Sequence, residues 1–226
     1  MQGMHCLYPG LSEQGYRSEE VILMSDVNYN IYISGVGGQG IIKTSVIIGE
    51  AAMRDGYGCV MSEIHGMSQR GGSVSTELKI GNFKSSIVEK GKADMILSFE
   101  PIEVLRALEK ANKDTAIIFN TAPMVPSTLT QTGETYPSID GEIIPNLKEN
   151  FNFVYPIEGN GLAKDAGSIL SLNMVLLGAA VANDTFPLSK ESVILAMKHN
   201  LAPKFHEMNE KAIENGFRGI MKWLKK

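Results

Sequence analysis

Cysteine is nearly missing from this chain of 226 residues: Cys6 and Cys59 are its only two, far apart and in unlike surroundings. Two thiols cannot build a disulfide framework, nor a four-thiolate cage for an iron–sulfur cluster or structural zinc. Cys59 falls in an apolar strand-like run and reads as a small buried hydrophobe rather than a nucleophile. Long apolar runs are missing as well. No window holds the roughly 18 uninterrupted apolar residues of a membrane span, and even Leu170 to Val181 is broken by Ser171, Asn173 and Gly178. The stretch Met1 to Met24 lacks the ordered basic, apolar and cleavage regions of a secretory signal, so a cytoplasmic address without a membrane partner is expected. Positive charge is not in surplus either. Lys and Arg number 21 against 25 Asp and Glu, a formal charge of −4 that argues against a broad nucleic-acid footprint. His5, His199 and His206 have no ligand-like companions, and no metal site is expected.

What the chain does have is a short apolar strand running into glycines, in Asn30-Ile31-Tyr32-Ile33-Ser34-Gly35-Val36-Gly37-Gly38-Gln39-Gly40-Ile41. Glycines permit a tight turn and a close approach to the main chain. The helix that follows leaves its first amides unpaired, with partial positive charge at that end. Gly35, Gly37 and Gly40 match the spacing G-x-G-x-x-G, which serves either a ligand loop or a packed structural turn.

From Asn30 onward short apolar runs alternate with helical patterns. That order predicts an α/β fold: a Rossmann-like, mainly parallel sheet with helices on both faces and a helical C-terminal region. Residues 1–28 read as an extension and 29–226 as one domain. Strands are expected at Ile31 to Ser34, Cys59 to Ile64, Ser73 to Ile80, Ser86 to Val88, Ala93 to Ser98, Thr115 to Asn120 and Asn152 to Pro156. Helices are expected at Gly40 to Arg54, Pro101 to Ala111, Gly141 to Asn150, Gly161 to Asp184, Ser189 to Asn200 and Lys204 to Lys226. The first strand, helix and second strand form a βαβ crossover in this reading.

A dinucleotide enzyme of Rossmann type needs an acidic residue at the end of its second strand, and Glu63 is so placed. It serves a nucleotide ribose or merely caps a loop. The chain then enters His65-Gly66-Met67-Ser68-Gln69-Arg70-Gly71-Gly72, rich in hydrogen-bonding groups and small residues. Arg70 offers a forked cation to a phosphate or carboxylate, or is an exposed arginine in a linker. His65 is an acid, base or donor near neutral pH, or a structural residue; no carboxylate partner can be named for it. Asn120 ends an apolar strand at the edge where open α/β sheets hold ligands, and serves either a ligand or the loop backbone. Asn173, within an apolar helix, reads as buried and structural.

The two segments Gly35-Val36-Gly37-Gly38-Gln39-Gly40 and Ser62-Glu63-Ile64-His65-Gly66-Met67-Ser68-Gln69-Arg70-Gly71-Gly72-Ser73 resemble the gamma subunit or domain of 2-oxoacid:ferredoxin oxidoreductases. The second of them is similar to the small subunit of the indolepyruvate branch. The resemblance runs from Asn30 to Trp223 and leaves the N-terminal extension outside the family core. It implies a heteromeric enzyme that oxidatively decarboxylates aryl 2-oxoacids, passes the acyl group to coenzyme A and reduces ferredoxin. Thiamine diphosphate with magnesium and the iron–sulfur clusters then belong to a large partner subunit, and this chain alone holds none of them and is inactive alone. The implied site pairs a cofactor-facing glycine loop (Gly35, Gly37, Gly38, Gln39, Gly40) with a loop for substrate, coenzyme A or partner (Glu63, His65, Gly66, Met67, Ser68, Gln69, Arg70, Gly71, Gly72) and Asn120. No catalytic residue is assigned. Two other readings stay open: an autonomous NAD(P)-dependent oxidoreductase using Glu63, and a non-catalytic scaffold.

Overall fold

A computed structural model describes residues 27–66, 72–124 and 135–224. Met67, Ser68, Gln69, Arg70 and Gly71 lie outside the described residues, as do positions 1–26 of the N-terminal extension. Six strands form one sheet: β1 (Tyr29–Val36), β2 (Cys59–His65), β3 (Ser73–Ile80), β4 (Met95–Ser98), β5 (Ala116–Asn120) and β6 (Phe153–Ile157), in the order β2-β3-β1-β4-β5-β6. Among the described residues seven α-helices flank it: α1 (Ile41–Arg54), α2 (Pro101–Ala107), α3 (Ile144–Asn150), α4 (Gly159–Ala166), α5 (Leu172–Val181), α6 (Lys190–Asn200) and α7 (His206–Leu224).

Two-residue alternation assigns the faces. Ile31 and Ile33 of β1, Met95 and Leu97 of β4 and Ile118 of β5 pack into one core with α1 and the last four helices. Ile96, Ile117, Phe119 and Val154 point the other way, to Val104 and Ala107 of α2 and Leu147 of α3. β4 and β5 are buried on both sides, as central parallel strands must be when helices cover both faces. Cys59 is half-buried and packs against the first core.

The expected crossover is modified. β1, β4, β5 and β6 are mutually parallel, but β3 runs antiparallel to both β1 and β2 and lies between them, with Ile33 opposite Thr76 and Thr76 opposite Glu63. β2 and β3 are therefore a hairpin, whose open ends, His65 and Ser73, lie at the same end of the sheet as the glycine loop. Ser86 to Val88 forms no strand. Instead the Val88 N–H donates to Glu77 Oε2 at 2.5 Å, its carbonyl accepts from Lys110 Nζ at 2.7 Å, and Lys110 pairs with Glu77 at 2.9 Å.

The expected helix Gly161 to Asp184 is two helices, α4 and α5, bent by 118°. Gly167, at φ 128°, ends α4 in a conformation that favours glycine, and the Ser168 hydroxyl then accepts from Leu170 N to start a new turn. Among the described residues no single helix is long and apolar enough to cross a membrane. α5 crosses α7 backbone to backbone. A Cβ on Gly178 would lie 2.0 Å from the Ile213 carbonyl oxygen, and one on Gly216 would lie 1.8 Å from that of Val175.

On the outside of α1, Glu50 accepts from Arg54, His199 and Asn200, fastening α1 to α6. Burial pushes its carboxyl pKa up, but those three hydrogen bonds outweigh burial and hold it below the usual carboxylate value. A carboxylate depressed by folding stabilises the fold above its unfolded pKa and loses that contribution as pH falls through the folded one. Glu50→Gln is accordingly expected to lower the melting temperature at neutral pH, and to converge with the wild type in acid below the carboxylate range. Calorimetric melts across pH read that convergence.

Candidate functional site: the carboxyl rim of the sheet

The chain leaves β1 on one side of the topological switch between β1 and β4, the place where open α/β sheets leave a crevice at their carboxyl ends. The glycine loop is built tightly there. Gly35, still within β1, has no room for a side chain: a Cβ would stand 2.6 Å from Gln39 Oε1 and 2.8 Å from Phe99 Cβ. The Gly37 N–H donates to the Gly72 carbonyl at 2.9 Å, tying the loop to the returning arm of the β2–β3 hairpin. Gly38 and Gly40 have φ of 101° and 85°, in the left-handed region. Beside Gly38 is open space, whereas a Cβ on Gly40 would meet Asn173 Nδ2 at 2.8 Å.

Gln39 is occupied in holding this shape. Its Oε1 accepts from Val36 N at 2.7 Å, and its Nε2 donates to the Phe99 carbonyl at 3.3 Å. The side chain thus clamps the end of β1 to the end of β4. The loop's donors are backbone. α1 begins at Gly40 with no side-chain cap and no acidic residue in its first turn, and among the described residues the N–H groups of Gly38 and Gly40 have no acceptor. Unpaired amides at the positive end of a helix are suited to an anionic oxygen.

Asn173 faces this loop from α5. It is 9% exposed, and among the described residues its amide has no hydrogen-bond partner. A lone polar residue in an otherwise apolar helix was its only sign in the sequence. Asn120 proves to be saturated: its Oδ1 accepts from Gly159 N at 3.1 Å and Ala122 N at 3.4 Å, and its Nδ2 reaches the Phe99 carbonyl and Asn160 Oδ1 at 3.3 Å each. These bonds serve the loop backbone at the ends of β4, β5 and β6.

Where the hairpin opens, Gly66 N donates to the Ser73 carbonyl at 2.9 Å, so Gly72 stands beside Gly37 and Gly66 lies at the rim on the far side of β3. His65 ends β2, in register with Val74. Glu63 is not brought to the glycine loop. It pairs with Thr76 of β3, which in turn pairs with Ile33, so β2 is two strand spacings, about 10 Å, from β1. Among the described residues no group of three or more His, Cys, Asp and Glu is placed to hold a metal ion.

Glu100 is a rim residue that periodicity did not single out. Only 2% exposed, it follows β4 and caps α2, its Oε2 accepting from Ile102 N at 2.7 Å and Glu103 N at 3.2 Å. The visible signal was a Glu-Pro pair directly after a buried strand, a helix start at the carboxyl edge.

Known proteins resemble this chain in sequence and fold. Residues 30–219 match the family model for pyruvate ferredoxin/flavodoxin oxidoreductase. Indolepyruvate oxidoreductase subunit IorB of Methanothermobacter thermautotrophicus is 51% identical over 191 residues, covering 84% of this chain and 97% of that one. The gamma subunit of a keto/oxoacid ferredoxin oxidoreductase from Geobacter sulfurreducens superposes with a TM-score of 0.63 at 26% identity, over 86% of this chain and 99% of that one. The 2-oxoglutarate:ferredoxin oxidoreductase of Magnetococcus marinus shares the fold with a TM-score of 0.67 at 21% identity, over 88% of this chain but 32% of that longer one. The chain belongs to the pyruvate ferredoxin/flavodoxin oxidoreductase family, whose members are parts of oxidoreductase complexes. Within it, this chain is a small, gamma-type subunit of a 2-oxoacid:ferredoxin oxidoreductase, and its relatives carry the name indolepyruvate oxidoreductase.

Proposed function

We propose that this subunit completes an aryl 2-oxoacid:ferredoxin oxidoreductase by turning its carboxyl rim toward the reaction chamber of a large partner subunit. The observation that carries the reading is the uncapped start of α1, with Gly38 and Gly40 presenting amides and no acidic side chain competing for them. Such a site fits a phosphate of coenzyme A or the carboxylate of the acyl donor. As the family resemblance implies, thiamine diphosphate with magnesium and the iron–sulfur clusters are assigned to the partner, where the thiamine ring would supply the carbanion chemistry and the clusters would lead electrons to ferredoxin. This chain's share is positional. The glycine loop offers close main-chain donors, Gln39 and Phe99 fix where they stand, and Arg70, between Gly66 and Gly72 in the sequence, supplies a cation.

The autonomous NAD(P) alternative needs Glu63 on the strand beside β1, and the intervening β3 argues against it. A mixing experiment tests the proposal. Neither purified subunit alone is expected to reduce ferredoxin with indolepyruvate, phenylpyruvate or hydroxyphenylpyruvate and coenzyme A, and the mixture is expected to do so. Arg70→Ala is expected to lower turnover of the mixture while leaving the melting temperature of the small subunit unchanged. Wild-type kinetics with all three substrates would remove Arg70 from the site, and hydride transfer to NAD by the small subunit alone would remove the proposal.

A further inference from the structure

The start of α2 is the post to which both neighbouring walls of the rim are fastened. An N-cap is ordinarily served by Ser, Thr, Asp or Asn, whose short arms reach the first amides and nothing else. Glu100 does more. While its Oε2 caps α2, its Oε1 accepts from Met124 N at 3.3 Å and from the Tyr136 hydroxyl, two groups on the chain beyond β5. One turn further on, Glu103, 4% exposed, accepts from the Ser73 hydroxyl at 2.6 Å and from Arg106. Ser73 follows Gly72, whose carbonyl receives the Gly37 N–H, so the Glu103 contact is one residue from the glycine loop itself. A buried carboxylate with several donors is costly to desolvate and rigid once satisfied. Burial, then the hydrogen bond to Glu100, push the Tyr136 hydroxyl far above its usual pKa, so Tyr136 stays protonated and donates at every working pH.

We propose that Glu100 and Glu103 are positioning residues for the oxidoreductase reaction, holding the β5 side of the rim through Met124 and Tyr136 and the hairpin side through Ser73. This rests on the reading that the rim faces the partner's chamber. The two carboxylates touch no reacting atom; they set the separation of the two walls between which the ligand-holding amides lie. Loosening either wall weakens ligand binding and leaves the chemical step nearly untouched.

The test uses the two-subunit enzyme and takes away the hydroxyl donors while α2 keeps its cap. Tyr136→Phe and Ser73→Ala are each expected to raise KM for coenzyme A or for the 2-oxoacid about five- to tenfold, the scale of one ordinary intramolecular hydrogen bond. Turnover should stay within about twofold, while the melting temperature of the small subunit falls by only about 2–6 °C, the scale of one lost buried hydrogen bond. Glu100→Gln retains an oxygen for the cap but turns an NH2 toward Met124 N. It is expected to raise the same KM, and adding Tyr136→Phe to it should add little, because both changes break one linkage. Unchanged KM in all the variants, strictly additive effects, or losses that follow the melting temperature would each overturn the positioning role. Gly40→Ala separates the two levels: if it disables the enzyme while the hydroxyl variants are silent, the anchoring idea alone fails, and if it too is silent, the rim reading fails with it.

Discussion

Gly216→Val is expected to leave almost no folded small subunit. At the crossing of α5 and α7 the two backbones touch, and the new Cβ would sit 1.8 Å from the Val175 carbonyl oxygen. No rotamer relieves this, because a Cβ is fixed by its own backbone and the atom it meets is main chain. The reciprocal contact, Gly178 against the Ile213 carbonyl at 2.0 Å, stops the helices from sliding past each other to make room. They must part, and overpacking of this kind costs about 3 kcal/mol or more out of the roughly 5–15 kcal/mol that holds a domain folded. α5 is buried from Leu172 to Ala180, so a parted crossing also opens the main core to water. Expression in inclusion bodies, or a melting temperature lowered by about 10 °C, is the expected result. A variant that melts with the wild type would show that the helices do not meet backbone to backbone.

Gly40→Ala is the change expected to separate activity from folding. The position has φ 85° and ψ 22°, where a residue with a Cβ costs about 1–2 kcal/mol, and the methyl group would meet the Asn173 amide at 2.8 Å. The chain can escape by swinging the first turn of α1, which redirects the free amides of the loop. Displacement of a positioning group by about 1 Å costs on the order of 100-fold in rate, so kcat/KM of the assembled enzyme is expected to fall by about that factor while the small subunit still folds. Gly38→Ala supplies the comparison. It carries the same kind of strain, at φ 101°, but enters open space, and its loss should be distinctly smaller. Equal losses at the two positions would mean that backbone strain, and not contact with Asn173, governs the loop.

The elements themselves were legible because each carries a local period. Tyr29–Val36, Ile41–Arg54 and Ser73–Ile80 lie within a residue or two of where alternation and three-to-four spacing place them. Adjacency was not legible. Alternation tells which residues of β3 face which layer, but not that β3 inserts between β1 and β2 in the opposite sense, a choice made by the hairpin. The break at Gly167 was hidden for another reason: α5 is apolar on all sides, so no stripe marks its phase, and Gly161 to Asp184 reads as one continuous run. At the site, the glycines announced the loop because left-handed turns need them. The carboxylates at the start of α2 announced nothing, since their partners Ser73, Met124 and Tyr136 are distant in sequence and meet only when the sheet is assembled.

The enclosure of α5 also bears on how the chain is made. A helix apolar all round has no face to turn to water, and α7, its most extensive neighbour, is the last element described. Until the ribosome has released α7, the nascent polypeptide carries the strands and α5 with that flank uncovered, a species prone to stick to others of its kind. Co-expression with chaperones, or slower translation at low temperature, should thus improve soluble yield more for this subunit than would any change to its surface.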